Sequence, residues 1–179
     1  MGKTNFDIVF DSIKRLQDNL FGIKEIIYIT PMGAFILSCC FIDYFAGFYV
    51  GRSTRAKKQE SYKHFEAYVR KFLPINYNAE ELWRARGGLV HDYSFKCKFI
   101  FTTTKENEGE HLKEGFLARN GARINHSIKK WMVIDIFIED VVKASDKYLY
   151  ALKTSPSLKK NAIKRYKGLG SYLTDVTLI

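Results

Sequence analysis

The stretch GAFILSCCFIDYFAGFYVG, Gly33 to Gly51, is apolar nearly all round and approaches the length of a membrane span. Its composition argues against that use. Asp43 lies close to the middle with no second span to shelter it, and Ser38, Gly33, Gly47 and Gly51 dilute the apolar run. A helix apolar on every face is otherwise the buried centre of a bundle. This reading predicts a soluble helical fold packed around residues 33–51. It also demands a buried partner for Asp43, because an isolated carboxylate in such a setting is costly.

The flanking sequence supplies the helices to surround it. Phe6, Val9, Phe10, Ile13, Leu16 and Leu20 recur every three or four residues, which predicts an amphipathic helix over about Asn5–Phe21. Thr30-Pro31 has the form of an N-cap followed by proline at the first helical position. RSTRAKKQE, Arg52 to Glu60, reads as a charged connection or a solvated helix start. Tyr62, Phe65, Val69 and Phe72 mark a third helix ended by Pro74. Asn78-Ala79-Glu80-Glu81 has the capping-box form and opens a fourth through Leu82, Ala85 and Leu89.

From Phe95 the period changes. Phe95, Cys97, Phe99 and Phe101 alternate with Lys96, Lys98, Ile100 and Thr102, a half-buried strand. Thr104–Gly115 reads as a polar loop, and Phe116–Asn125 as a second strand region with Asn120-Gly121 suited to a tight turn. A long helix follows near Val133, with Ile134, Phe137, Val141, Ala144, Tyr148 and Leu152 on one face. Ser155-Pro156 caps a last basic helix that closes at Gly168. The expected fold is mainly α, one domain over 1–179 with about five to six helices and a small β-hairpin insertion at approximately 94–126.

Composition narrows the functional classes. The 179 residues are 46% hydrophobic, enough for one buried core. The 29 basic residues against 19 acidic ones give a net charge of +10, which suits a polyanionic partner such as nucleic acid. Cys39, Cys40 and Cys97 form no spaced disulfide framework, and no CxxC or HExxH pattern is present. His64, His91, His111 and His126 lack metal-ligand spacing, so no metal or cofactor is expected. The first residues carry acids early and no uninterrupted apolar run, which is not a signal peptide; the expected location is cytoplasmic.

One segment combines a poor local choice with reactive side chains. In LWRARGGLVHDYS, Leu82 to Ser94, Gly87 and Gly88 interrupt a helix between Arg86 and His91. Each glycine costs roughly 1 kcal/mol relative to alanine there. Arg86 and His91 are five positions apart, about 140° around the axis, and both can border one groove near the helix end. Side chains lean back over the preceding turn, so the glycines leave bare backbone beneath His91. The space admits a phosphate or the close approach of a second helix. The plainer alternative is that the glycines mark helix packing and that His91 is a C-terminal histidine stabilised by the helix dipole. Arg86 is equally a candidate for the buried partner of Asp43.

An all-helical bundle with Arg86-Gly-Gly-Leu-Val-His91 near one helix end resembles the HEPN family, whose motif is arginine, four to six residues, then histidine. The resemblance covers roughly Thr30 to Ser94, and extends more loosely to the later strand and long helix. It is similar to uncharacterised bacterial HEPN-like proteins in which a segment like LWRARGGLVHDYS follows one like CCFIDYFAGFYVG. The resemblance implies a metal-independent endoribonuclease, usually a homodimer with two motifs facing one cleft, in a toxin or phage-defence setting with a regulatory protein partner. His91 would be the general acid or base and Arg86 the phosphate ligand. Gly87 stands where the family frequently carries a polar residue, often asparagine. The alternative is a non-catalytic HEPN-like module for dimerisation or for binding nucleic acid or a partner.

The segment KKNAIKRYKG interleaves Tyr166 among Lys159, Lys160, Lys164, Arg165 and Lys167, which suits phosphates and a stacked base; a solvated helix face has the same composition.

Overall fold

A computed structural model describes residues 4–52, 58–91, 99–103, 109, 111–115, 118–119, 122–123 and 129–169. Among these lie six helices: α1 (Asn5–Ile26), α2 (Pro31–Val50), α3 (Lys58–Phe72), α4 (Ala79–His91), α5 (Ile134–Thr154) and α6 (Pro156–Leu169). The strands are short: β1 (Phe99–Thr102), β2 (Glu114–Gly115), β3 (Ala118–Arg119), β4 (Ala122–Arg123) and β5 (Lys129–Val133). The fold is mainly α with a small β insertion.

The helix ends are written in the sequence. At α1 the Thr4 hydroxyl accepts from the Asp7 N–H (3.2 Å) and the Asp7 carboxylate accepts from the Thr4 N–H (2.8 Å), a complete capping box. The helix runs to Ile26, past the expected Phe21, because Ile23 continues the buried stripe of Val9, Ile13 and Leu20. At α2 the Thr30 hydroxyl accepts from the Gly33 N–H at 3.1 Å, with Pro31 at the first helical position. Gly51 ends α2 in the left-handed region at φ 67 and sends its N–H back to Gly47 and Phe48. A Cβ at Gly51 would also lie 3.1 Å from the Asn161 backbone, so glycine is required twice over. Asn78 accepts from the N–H groups of Glu80 and Glu81 and starts α4.

α2 is the centre. It contacts α1, α3, α4, α5 and α6, and Phe35, Cys39, Ile42, Phe45 and Phe48 are fully buried. By length and composition it is also apolar enough to cross a membrane. Here half of that span is buried against the other helices, with Leu37 left exposed. Aromatic packing dominates below Asp43: Phe45 and Tyr148 meet edge-on at 6.1 Å, and Tyr68 and Phe72 pack tilted at 4.9 Å. At the other end Phe35 touches Phe101 (4.9 Å) and Phe137 (5.3 Å), which seats the sheet on the start of α2 and α5.

The β insertion differs from the expected hairpin. Its main pair, β1 with β5, is parallel, with Phe99 opposite Lys130 and Thr102 opposite Val133. β2 pairs antiparallel on the far edge of β5. A hairpin does exist as a separate two-stranded sheet, β3 with β4, with Arg119 opposite Ala122; its connecting Asn120 and Gly121 lie outside the described residues. Parallel strands need a long crossover, supplied by the segment between Thr102 and Lys129. β5 escapes a periodicity reading because Trp131, Met132, Val133 and Ile134 run without a break from strand into helix.

The supposed polar loop is partly structural. His111, within Thr104–Gly115, accepts from the Val133 N–H through Nδ1 (3.1 Å), and its Nε2 lies 2.8 Å from the Tyr77 hydroxyl. Tyr77 in turn donates to Asp140 at 2.9 Å. Leu112 holds φ 60, a strained value for a branched residue, fixed by bonds from its N–H to Trp131 O (2.7 Å) and from the Trp131 N–H to Lys113 O (3.0 Å).

Candidate functional site

Asp43 has the partner its position demands, and more than one. Arg52, one residue past the Gly51 cap, places Nη1 2.8 Å from Asp43 Oδ1. Arg86 reaches Oδ2 of the same carboxylate at 3.7 Å. The three side chains are 11%, 24% and 19% exposed for Arg52, Arg86 and Asp43 respectively, so the cluster is half-buried yet open on one side. Arg86 is also held from within its own helix, its guanidinium carbon 5.1 Å from the ring centre of Trp83 one turn earlier.

A third guanidinium completes the group. Arg165 on α6, assigned by sequence to a basic surface, turns inward and is 7% exposed. Its Nη1 donates to the Arg52 carbonyl at 3.2 Å, and Asn161 one turn earlier donates to Tyr49 O at 2.9 Å. Gly47 makes this docking possible. A Cβ there would lie 3.2 Å from Arg165 Nε and 3.4 Å from Arg52 Nη2, so both guanidiniums rest on bare α2 backbone. Burial, then the Arg52 charge, pulls the Arg165 pKa below its usual value.

Neighbouring groups respond to the same field. Burial pushes the Tyr44 hydroxyl up to about 12, against the pull of Arg165. Burial, followed by Arg52, lowers the His64 pKa, which favours the neutral imidazole. Among the described residues, no hydrogen-bond partner meets Arg86 Nε, Arg165 Nε, Tyr44 Oη or His64 Nδ1, all of them buried atoms.

The residues singled out from sequence are only partly brought together. Arg86 and Asp43 meet. Gly87 faces open space, with nothing within 4 Å of a built Cβ, so it does not mark a close helix contact. Gly88 is half-buried on α4. His91 is the last residue of α4, and its side chain lies outside what is described, as does Cys97. Of the basic set on α6, Lys160, Lys164 and Lys167 form one exposed stripe, whereas Lys159 lies over the Phe6 ring at 4.8 Å. Arg52 and His64 were missed by sequence reasoning. The available signal was the spacing of Arg52 from Asp43, hidden by the charged run that follows it.

Other polar sites offer less chemistry. A cleft of about 470 Å³ opens beside Tyr62, Arg70, Ile75 and Tyr77, but Arg70 is paired with Glu66 at 2.7 Å and the Tyr77 hydroxyl is committed to His111 and Asp140. Among the described residues no three His, Cys, Asp or Glu side chains cluster as metal ligands; Cys39 is buried and Cys40 half-buried, both free. No family model, curated protein or solved structure matches the chain.

Proposed function

We propose that the chain is a HEPN-like protein acting on RNA at Arg86 and His91, as a metal-independent endoribonuclease. The observation that carries this reading is the setting of Arg86. Asp43 and Trp83 hold its partly exposed guanidinium in place, and a Cβ on the next residue, Gly87, would meet nothing within 4 Å. Preset donors next to an unfilled space suit a phosphate whose charge grows during reaction.

In this scheme the ribose 2′-oxygen attacks phosphorus, the bond to the 5′-oxygen breaks, and the products are a 2′,3′-cyclic phosphate and a 5′-hydroxyl. The 2′-hydroxyl loses one proton and the leaving oxygen gains one. His91 serves as acid or base, since an imidazole titrates near neutrality. Arg86 binds the non-bridging oxygens. The exposed Lys160, Lys164 and Lys167 offer further phosphate contacts along the strand. A homodimer would bring two such motifs to one cleft, in a toxin or phage-defence setting under a regulatory protein partner.

The test is RNA incubated with the protein in EDTA. Cleavage with cyclic-phosphate ends should appear and vanish in His91→Ala at unchanged melting temperature; cleavage that persists in that variant overturns the assignment. The ion pair of Arg86 with Asp43 favours a second reading, a non-catalytic module for dimerisation or binding. There Arg86→Ala or Gly88→Leu weakens self-association in sedimentation while wild type cleaves nothing.

A further inference from the structure

Among the described residues, charge in the cluster on α2 does not balance. Arg52, Arg86 and Arg165 bring three positive charges, Asp43 returns one, and Tyr44 and His64 are neutral, which leaves an excess of two. Glu60 also acts on His64, from the exposed first turn of α3. Buried like charges repel, and a guanidinium taken from water without a partner is costly. An apolar residue at position 165 would avoid that cost against α2. The chain instead keeps Gly47 bare so that Arg165 and Arg52 fit on its backbone.

We infer that Arg52, Arg86 and Arg165, arranged around Asp43 and over Gly47, form a binding site for a phosphate monoester. The unmet donors match such a group. Arg86 Nε, Arg165 Nε and the Tyr44 hydroxyl have no partner among the described residues, and Arg165 is more than nine-tenths buried. A monoester carries close to two negative charges at neutral pH, which equals the excess. A phosphodiester carries one and leaves a guanidinium uncompensated. Asp43 fixes Arg52 and Arg86 without cancelling them.

This site shares Arg86 with the cleavage reading but does not rest on it. Arg52 and Arg165 lie outside the Arg86–His91 motif, and no proton transfer is needed. The monoester has two possible sources, a nucleoside monophosphate or the phosphorylated end of an RNA strand.

The experiment titrates the full chain by calorimetry with inorganic phosphate, pyrophosphate and dimethyl phosphate at matched ionic strength. Phosphate and pyrophosphate should bind saturably and dimethyl phosphate should not. Arg165→Gln and Arg52→Gln should each weaken binding about tenfold to hundredfold, the loss of one or two charge-assisted hydrogen bonds. A Lys71→Ala/Lys147→Ala variant, at two exposed lysines of α3 and α5 outside the cluster, should bind as wild type does. Equal response to dimethyl phosphate, or loss of binding in the lysine variant, overturns the inference. Comparing adenosine monophosphate with 5′-phosphorylated and 5′-hydroxyl oligonucleotides then identifies the source. His91→Ala should retain phosphate binding, so the failure of cleavage and the failure of this site remain separate results.

Discussion

Two of the polar clusters that interrupt the apolar core are built on opposite plans. Around Tyr77 every named group has a match: His111 Nδ1 accepts from the Val133 N–H, Nε2 faces the Tyr77 oxygen, and the Tyr77 hydroxyl donates to Asp140. The backbone bond leaves Nδ1 unprotonated, so the neutral imidazole carries its proton on Nε2 and donates it to Tyr77. Around Asp43, two guanidiniums share one carboxylate, a third lies against Arg52, and several buried donors have no partner among the described residues. The closed cluster ties the α3–α4 connection and His111 to β5 and α5. The open one holds charge in readiness, which has no value for folding alone.

Asp43→Asn breaks the open cluster most severely. It removes the counter-charge that Arg52 and Arg86 share, beside the buried Arg165, while keeping the shape of the side chain. Breaking a fully buried pair costs about 3–5 kcal/mol; with these groups partly exposed, a loss of about 2–3 kcal/mol in urea unfolding is expected. Added pyrophosphate should recover more stability in this variant than in wild type, because the positive excess has grown. A variant as stable as wild type would mean that Asp43 does not organise the arginines.

The closed cluster should respond differently. Tyr77→Phe leaves the Nε2 proton and the Asp140 oxygen without their shared partner, an expected loss of about 1–3 kcal/mol with phosphate binding untouched. Its histidine also predicts a pH effect. Burial lowers the His111 pKa below the ordinary 6.5, so the folded chain binds fewer protons than the unfolded one in that range. Stability is therefore full above about 6.5 and falls as pH drops through the interval down to the lowered folded value. His111→Gln should flatten that part of the curve, with His64, also lowered, supplying what slope remains. An unchanged slope in His111→Gln would place the effect entirely elsewhere.

The two clusters were unequally legible in the sequence. Asp43 within an apolar helix announced a need for a buried partner, and Arg86 was one of the candidates. Caps at Thr30 and Asn78, with stripes at three and four residues, placed α1, α2 and α4 because those signals are local. Arg52 and Arg165 were read as surface charges because nothing in a basic run distinguishes the residue that turns inward. What decides it is contact between α6 and α2, namely Asn161 on Tyr49 and Arg165 over bare Gly47. His111 was lost for the same reason, since its partners Tyr77, Val133 and Asp140 are distant in the chain. Parallel pairing of β1 with β5 is likewise a long-range choice that alternation cannot express.

The smallest change sharpens the contrast furthest. Gly87 borders the open cluster through its neighbour Arg86, yet a Cβ at that position meets nothing within 4 Å. Gly87→Ala should therefore recover the helix penalty, a gain of about 0.5–1 kcal/mol, seen as a rise of about 2–4 °C in melting temperature. If the glycine were there to let another helix approach, alanine would destabilise instead. A stabilised variant that cleaves RNA more slowly, with phosphate binding at Arg52 and Arg165 intact, is the outcome expected when the space beside Arg86 is kept for a substrate. A stabilised variant that cleaves as fast as wild type would leave the glycine without a role in the reaction and move the strand's path away from this turn of α4.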